Sequence, residues 1–235
     1  MSARVLFVPG LMQRGESWRA VADLLPERYP SVLLDHREHT FEGRLREIAA
    51  AGEGAVVCGY SLGGRLVLHA ALRDPGRYAG LVTVGASAGI DDEAARTARR
   101  EADERIAAWM EATPIEQVVE VWERQPLFAD QGEALIDAQR AGRLSHDPRE
   151  LASLLRSAGQ GALPPLWPEL PRLAVPVLAV AGARDERYAV AARRLAAAVP
   201  AGRAAVVPDA GHAPQLQRPD AVAELLLEFL DQHLR

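Results

Sequence analysis

The chain has 235 residues, enough for one sizeable α/β core carrying a small insertion. Hydrophobic residues make up 49% and charged residues 25%, which excludes an extended disordered chain, and the net charge of −5 argues against a general nucleic-acid binder. A single cysteine, Cys58, excludes an intramolecular disulfide framework; with no signal-peptide pattern and no apolar run of spanning length, a cytoplasmic location and no membrane span are expected.

Short apolar runs alternate with helical patterns through the first third. A strand is predicted over 5–8, ending at Pro9-Gly10, then a helix over 18–25 that stops at Pro26. A second strand over 32–34 leads to a helix over 41–51. A third strand over 56–60 leads to a helix over 65–72, and a fourth strand follows at 81–84. Strands alternating with helices of this length imply a mostly parallel sheet with helices on both faces. From Asp91 to about Gly159 only helical stretches occur, rich in Ala, Arg and Glu, before the Pro-containing stretch 161–171. Alternation resumes with a strand over 175–180, a helix over 189–199, a strand over 204–207 and a helix over 221–230. The expected fold class is α/β, with a core of 1–90 and 166–235 and an inserted helical cap of 91–165.

Gly59-Tyr60-Ser61-Leu62-Gly63 lies between the third strand and its helix. A G-x-S-x-G on a strand-to-helix turn is a nucleophile elbow, whose tight turn leaves no room for side chains beside the serine. Serine needs an imidazole to accept its proton, and the imidazole needs an acid to fix its tautomer. Asp185 follows the 175–180 strand and His212 follows the 204–207 strand, so both stand beyond carboxyl ends, where ligands of open parallel sheets bind. Asp209 is too close in sequence to His212 to compete. The expected catalytic residues are therefore Ser61, Asp185 and His212. The Leu62 amide, at the start of the elbow helix, and the Leu11 amide, after Pro9-Gly10, are the expected oxyanion donors. His36, His39, His69, His146 and His233 are scattered without metal-ligand spacing and read as structural or solvated, as Cys58 reads as core.

Further blocks carry a resemblance. They are Gly10-Leu11 with Gly15-Glu16-Ser17-Trp18, the elbow followed by Gly64-Arg65, and Asp92-Glu93-Ala94-Ala95-Arg96 through Asp103. Trp122-Glu123-Arg124-Gln125-Pro126-Leu127-Phe128, Ala158-Gly159-Gln160-Gly161 and Gly211-His212-Ala213 continue it. Along its whole length the chain resembles the α/β-hydrolase superfamily. More narrowly it is similar to the SHCHC synthase family (2-succinyl-6-hydroxy-2,4-cyclohexadiene-1-carboxylate synthases) of menaquinone biosynthesis. It departs from that family in having Pro9-Gly10 for His-Gly, and Asp35-His36-Arg37 after the second strand for Gly-His-Gly.

The resemblance implies a lyase that removes a ring proton and expels pyruvate, with the serine as base and a small, multiply anionic substrate. It implies substrate arginines at Arg65, Arg99 and Arg140, whose planar forks suit carboxylates, and pocket aromatics at Tyr60 and Trp122. No cofactor or metal is implied, and a monomer or weak homo-oligomer is expected. Read from the residues alone, Arg99 among Glu93, Glu101 and Asp103 could equally be a solvated helix face, and Trp122 a packing residue. A carboxylic-ester hydrolase acting through a Ser61 acyl-enzyme is the alternative activity. A non-catalytic binder is a third reading, disfavoured because it would not need serine, acid and histidine together.

Overall fold

The computed structural model describes residues 4–234; residues 1–3 and 235, counted with the core in the sequence reading, lie outside the described ones. In chain order the elements are β1 (Val5–Val8), α1 (Arg19–Ala22), β2 (Ser31–Leu33), α2 (Phe41–Gly52), β3 (Val56–Tyr60), α3 (Leu62–Arg73) and β4 (Gly80–Val84). An insertion of α4 (Glu93–Glu111), α5 (Ile115–Glu123), α6 (Glu133–Leu144) and α7 (Pro148–Ala158) follows. The chain closes with β5 (Val177–Gly182), α8 (Glu186–Ala198), β6 (Gly202–Val207), α9 (Pro214–Gln217) and α10 (Pro219–His233). Among the described residues no helix is long and apolar enough to cross a membrane.

The six strands form one sheet in the order β2-β1-β3-β4-β5-β6, every pair parallel. Strand residues alternate between the two faces. Leu6, Val8 and Val57 pack with Leu45, Ile48, Leu66 and Leu195 of α2, α3 and α8. Val5, Phe7, Val56 and the buried Cys58 pack on the other face with Trp18, Leu226 and Phe229. The central strands β1, β3, β4 and β5 are buried throughout, as expected of parallel strands covered on both faces.

The chain runs from β1 to β2 on one side and returns to β3 on the other, so β1 and β3 flank a topological switch point. Val8 pairs in register with Gly59, which sets the Leu11 loop beside the elbow. Gly63 makes that approach possible: a Cβ there would stand 2.5 Å from the Val8 carbonyl oxygen.

The predicted 18–25 helix is shorter in the structure: a 3-10 turn at Gly15–Trp18 precedes α1, which ends at Ala22. The Trp18 indole, fully buried, donates to the Val8 carbonyl at 3.2 Å and anchors the turn, while Leu24 and Leu25 tighten to i→i−3 bonds ahead of Pro26. In the insertion, Asp92 and Asp147 accept from the Ala95 and Arg149 amides and so start α4 and α7. Ala107, Met110, Val118, Leu151 and Leu155 form the insertion's own core, into which Met12 from the Leu11 loop inserts.

Two largely buried histidines, His69 and His146, have a consequence for stability. Burial, with Arg65 and Arg73 nearby, pushes His69 down to about 4; burial, with Arg14 and Arg44 nearby, does the same to His146. Both folded-state values lie below the ordinary 6.5, so the unfolded chain binds more protons between those limits. The stability these two histidines contribute is therefore complete above about pH 6.5 and falls as pH drops toward 4. Melting temperatures measured across this range should decline, and the decline should flatten in a His69→Gln/His146→Asn variant; an equally steep decline in that variant would refute the assignment.

Candidate active site

Ser61 stands between β3 and α3 with φ 49° and ψ −109°, a conformation that non-glycine residues rarely adopt. Such strain costs about 1–3 kcal/mol. Gly59 and Gly63 leave the turn free of side chains: a Cβ on Gly59 would lie 2.5 Å from the Gly63 carbonyl oxygen.

The His212 imidazole reaches Ser61 from the loop after β6, its Nε2 3.2 Å from the serine Oγ. Its Nδ1 lies 2.7 Å from Asp185 Oδ2. Asp185 is also the N-cap of α8, its Oδ1 accepting from the Tyr188 amide at 3.3 Å. Each carboxylate oxygen thus has its own partner, which fixes the plane of the acid that orients the imidazole. The rings of Tyr188 and Tyr60 stand 4.5 and 5.5 Å from His212, walling it from solvent. Asp209 does not reach this group; it pairs with Arg184 at 3.0 Å.

Ser61 and His212 open into a cavity of about 250 Å³. Leu11 and Leu62 line its floor, and Leu62 is the first residue of α3, whose opening amides have no acceptor within the helix. Of the substrate residues expected from the resemblance, Tyr60, Arg65, Arg99 and Trp122 line this cavity. Arg99 is held on both sides, its Nε donating to Asp103 at 2.7 Å and a terminal nitrogen to the Gln160 side chain at 3.1 Å. Gln160 in turn donates to Ser87 Oγ at 3.0 Å, joining α4 to the end of β4. Trp122 faces Phe128 at 5.8 Å.

Arg140 is not among the residues that line this cavity: its side chain is 50% exposed and tied to the buried Glu123. One turn further on, Arg143 lines the cavity with a side chain only 3% exposed, paired to Glu123 at 2.9 Å and to Gln139 at 3.0 Å. Its Nε is buried with no partner among the described residues. The inward stripe of α6 runs through Ile136, Gln139 and Arg143, the i, i+3, i+7 positions of one helix face. Arg140, at i+4, borders the same face, but its side chain ends on Glu123 toward solvent rather than in the cavity.

A sequence profile described as "Alpha/beta hydrolase family" matches residues 5–225. The chain belongs to the alpha/beta hydrolase family. Within it the chain is 31% identical to the 2-succinyl-6-hydroxy-2,4-cyclohexadiene-1-carboxylate synthase of Serratia proteamaculans (strain 568), over 96% of this chain and 92% of the relative. It is 30% identical to the enzyme of the same name from Enterobacter sp. (strain 638), over 96% and 91%. The structure of MenH from S. aureus superposes with a TM-score of 0.93 at 25% identity, covering 100% of this chain and 96% of that one. The resemblance read from the sequence therefore holds at both levels, the hydrolase fold and its SHCHC synthase relatives.

This alpha/beta hydrolase also carries cavity residues to which the sequence reading gave no site role. Ser87, Gln160, Phe128, Arg187 and Tyr188 all line the cavity but stand in loops or at helix ends where no periodic pattern marks them.

Proposed function

We propose that this chain is a lyase of menaquinone biosynthesis, eliminating pyruvate from 2-succinyl-5-enolpyruvyl-6-hydroxy-3-cyclohexene-1-carboxylate to give SHCHC. One observation carries the reading: a serine–histidine–aspartate group opens into a cavity lined by four arginines, Arg65, Arg99, Arg143 and Arg187. A substrate with ring, succinyl and enolpyruvyl carboxylates supplies the anions those guanidinium forks suit. The names of the relatives point the same way. The division into a core of 1–90 and 166–235 and a cap of 91–165 belongs to this reading, with Arg99 and Arg143 as the cap's contribution to substrate binding.

In this mechanism His212 Nε2 takes the hydroxyl proton of Ser61 as the serine oxygen takes the proton from the substrate ring. The electrons of the C2–H bond form a C2–C3 double bond, and those of the existing C3–C4 double bond move to C4–C5. The C–O bond to the enolpyruvyl group breaks, and the departing enolate is reprotonated on carbon to pyruvate. Asp185 stabilises the imidazolium that His212 becomes, and the Leu11 and Leu62 amides face negative charge developing on the substrate. The strained Ser61 backbone holds the oxygen toward the cavity, so the orientation is set before substrate arrives.

The test pairs two assays on the wild-type protein: pyruvate release from the enolpyruvyl cyclohexene substrate, and hydrolysis of short p-nitrophenyl esters. Fast pyruvate release with feeble ester cleavage is the expected outcome. Ester cleavage without pyruvate release would replace this reading with an esterase acting through a Ser61 acyl-enzyme. The arginines give a second expected result. Arg143→Lys keeps a charge against Glu123 but loses the fork, and should lower kcat/KM by about 10- to 100-fold. Arg140→Ala should change it by less than about threefold, as for an exposed ion pair. Steady-state kinetics that reversed this order would return the role to Arg140.

A further inference from the structure

The amide of Gly211, the residue before His212, donates to Gln217 Oε1 at 2.8 Å. The other end of the same side chain, Gln217 Nε2, donates to Asp130 Oδ2 at 2.9 Å. Asp130 belongs to the helical insertion, two residues beyond Phe128, whose ring stands 6.4 Å from that of His212. The Asp130 carboxylate rests directly on the backbone of the His212 loop: a Cβ on Gly211 would lie 2.1 Å from Asp130 Oδ2.

The chemistry of this bridge is specific. A backbone N–H can only donate and an ionised carboxylate can only accept, so a side chain that bridges the two must accept at one end and donate at the other. A side-chain amide offers an acceptor at one atom and a donor at the next. Gln217 meets both demands at once, and a glutamate there could meet only the first. The contact is exposed, so its contribution to overall stability is small. Its location is what gives it leverage, since it joins the insertion to the residue adjoining the catalytic imidazole.

We propose that Gln217 is a positioning residue that ties the 126–130 segment of the insertion to the His212 loop, so that seating of this segment aligns His212 with Ser61. The proposal rests on the reading of His212 as the partner of the Ser61 base.

Three variants test it: Gln217→Glu, Asp130→Asn and the two combined. Gln217→Glu keeps an acceptor for the Gly211 amide but sets two carboxylates against each other. It should lower kcat for pyruvate release by roughly three- to tenfold, more than it raises KM. In the ligand-free protein, amide hydrogen exchange over 126–131 and 210–217 should quicken. Asp130→Asn alone should stay near wild type, because the introduced amide oxygen still accepts from Gln217. In the combined variant the introduced amide can donate to the introduced carboxylate, and both kcat and exchange should return to within about twofold of wild type. A Gln217→Glu protein with wild-type kcat and exchange would overturn the proposal, as would a defect that Asp130→Asn fails to repair. A wild-type protein unable to release pyruvate would instead overturn the functional reading, leaving exchange and its rescue to decide whether the bridge holds the loop.

Discussion

Ser61→Ala is expected to lower pyruvate release by about 10²–10⁴-fold, the range over which a positioned base accelerates proton transfer. The size of the loss discriminates between two uses of the same geometry. His212 Nε2 lies 3.2 Å from Ser61 Oγ and could in principle reach a substrate proton itself. If the imidazole were the direct base, removing the hydroxyl would vacate space without removing the base, and the rate would fall by less than tenfold. If the serine oxygen is the base, Ser61→Ala, His212→Ala and the double variant should all fall to a similar floor, because groups that act as one unit lose their function together. Single-turnover measurements with saturating substrate isolate this step from product release. Losses that multiplied in the double variant would show that serine and histidine act independently.

Asp185→Asn sharpens the same point. The carboxylate accepts from both the Tyr188 amide and the His212 ring. An asparagine can satisfy the amide with its oxygen, but turns its NH₂ toward Nδ1 and so favours the wrong tautomer, leaving Nε2 protonated and unable to accept from Ser61. The fold would survive this change while the proton path would not.

The architecture was largely legible because parallel α/β chains advertise it. Buried strands such as 56–60 are continuous apolar runs, and the residues just past them stand at one end of the sheet by topology alone. That is why Ser61, Asp185 and His212 could be singled out from positions 27 to 151 residues apart, and the structure brings them within hydrogen-bonding distance. The residues that were harder to read depend on what a helix packs against. Arg140 and Arg143 are one turn apart on the same side of α6 and pair with the same Glu123, and only the tertiary packing around them leaves the first half exposed and buries the second. The 18–25 segment was misjudged in extent because a tertiary contact, the Trp18 indole on the Val8 carbonyl, outweighs helix propensity there. Gln160 and Ser87 gain meaning only when the insertion folds back over the sheet and their side chains meet, a contact between positions with no periodic relation.

Arg65→Met is expected to abolish most activity and at the same time raise the melting temperature. Arg65 lines the cavity one turn into α3, and its single resolved hydrogen bond runs from a terminal nitrogen to the Ala158 carbonyl at 3.1 Å. Among the described residues no carboxylate stands within ion-pairing distance of it, in contrast to Arg99 and Arg143. Burial, reinforced by repulsion from Arg99, pushes its guanidinium down to about 10, so it stays charged at neutral pH but at a cost to the folded state. Methionine keeps much of the length and apolar volume without the charge, and replacing a poorly compensated, half-buried charge in this way is often stabilising. A gain near 1 kcal/mol would raise the melting temperature by about 2–4 °C in a chain of this size. The activity loss follows from the same fact: the counter-ion missing from the protein is the one an anionic substrate brings, and losing it should lower kcat/KM by about 100-fold. Linkage supplies the check. A saturating dicarboxylate such as the product should raise the melting temperature of the wild type and do so much less in Arg65→Met. If the variant melted lower than wild type and kept its response to product, Arg65 would be a structural residue bonded to Ala158, and the anion would have to be held by the other cavity arginines, Arg99, Arg143 and Arg187.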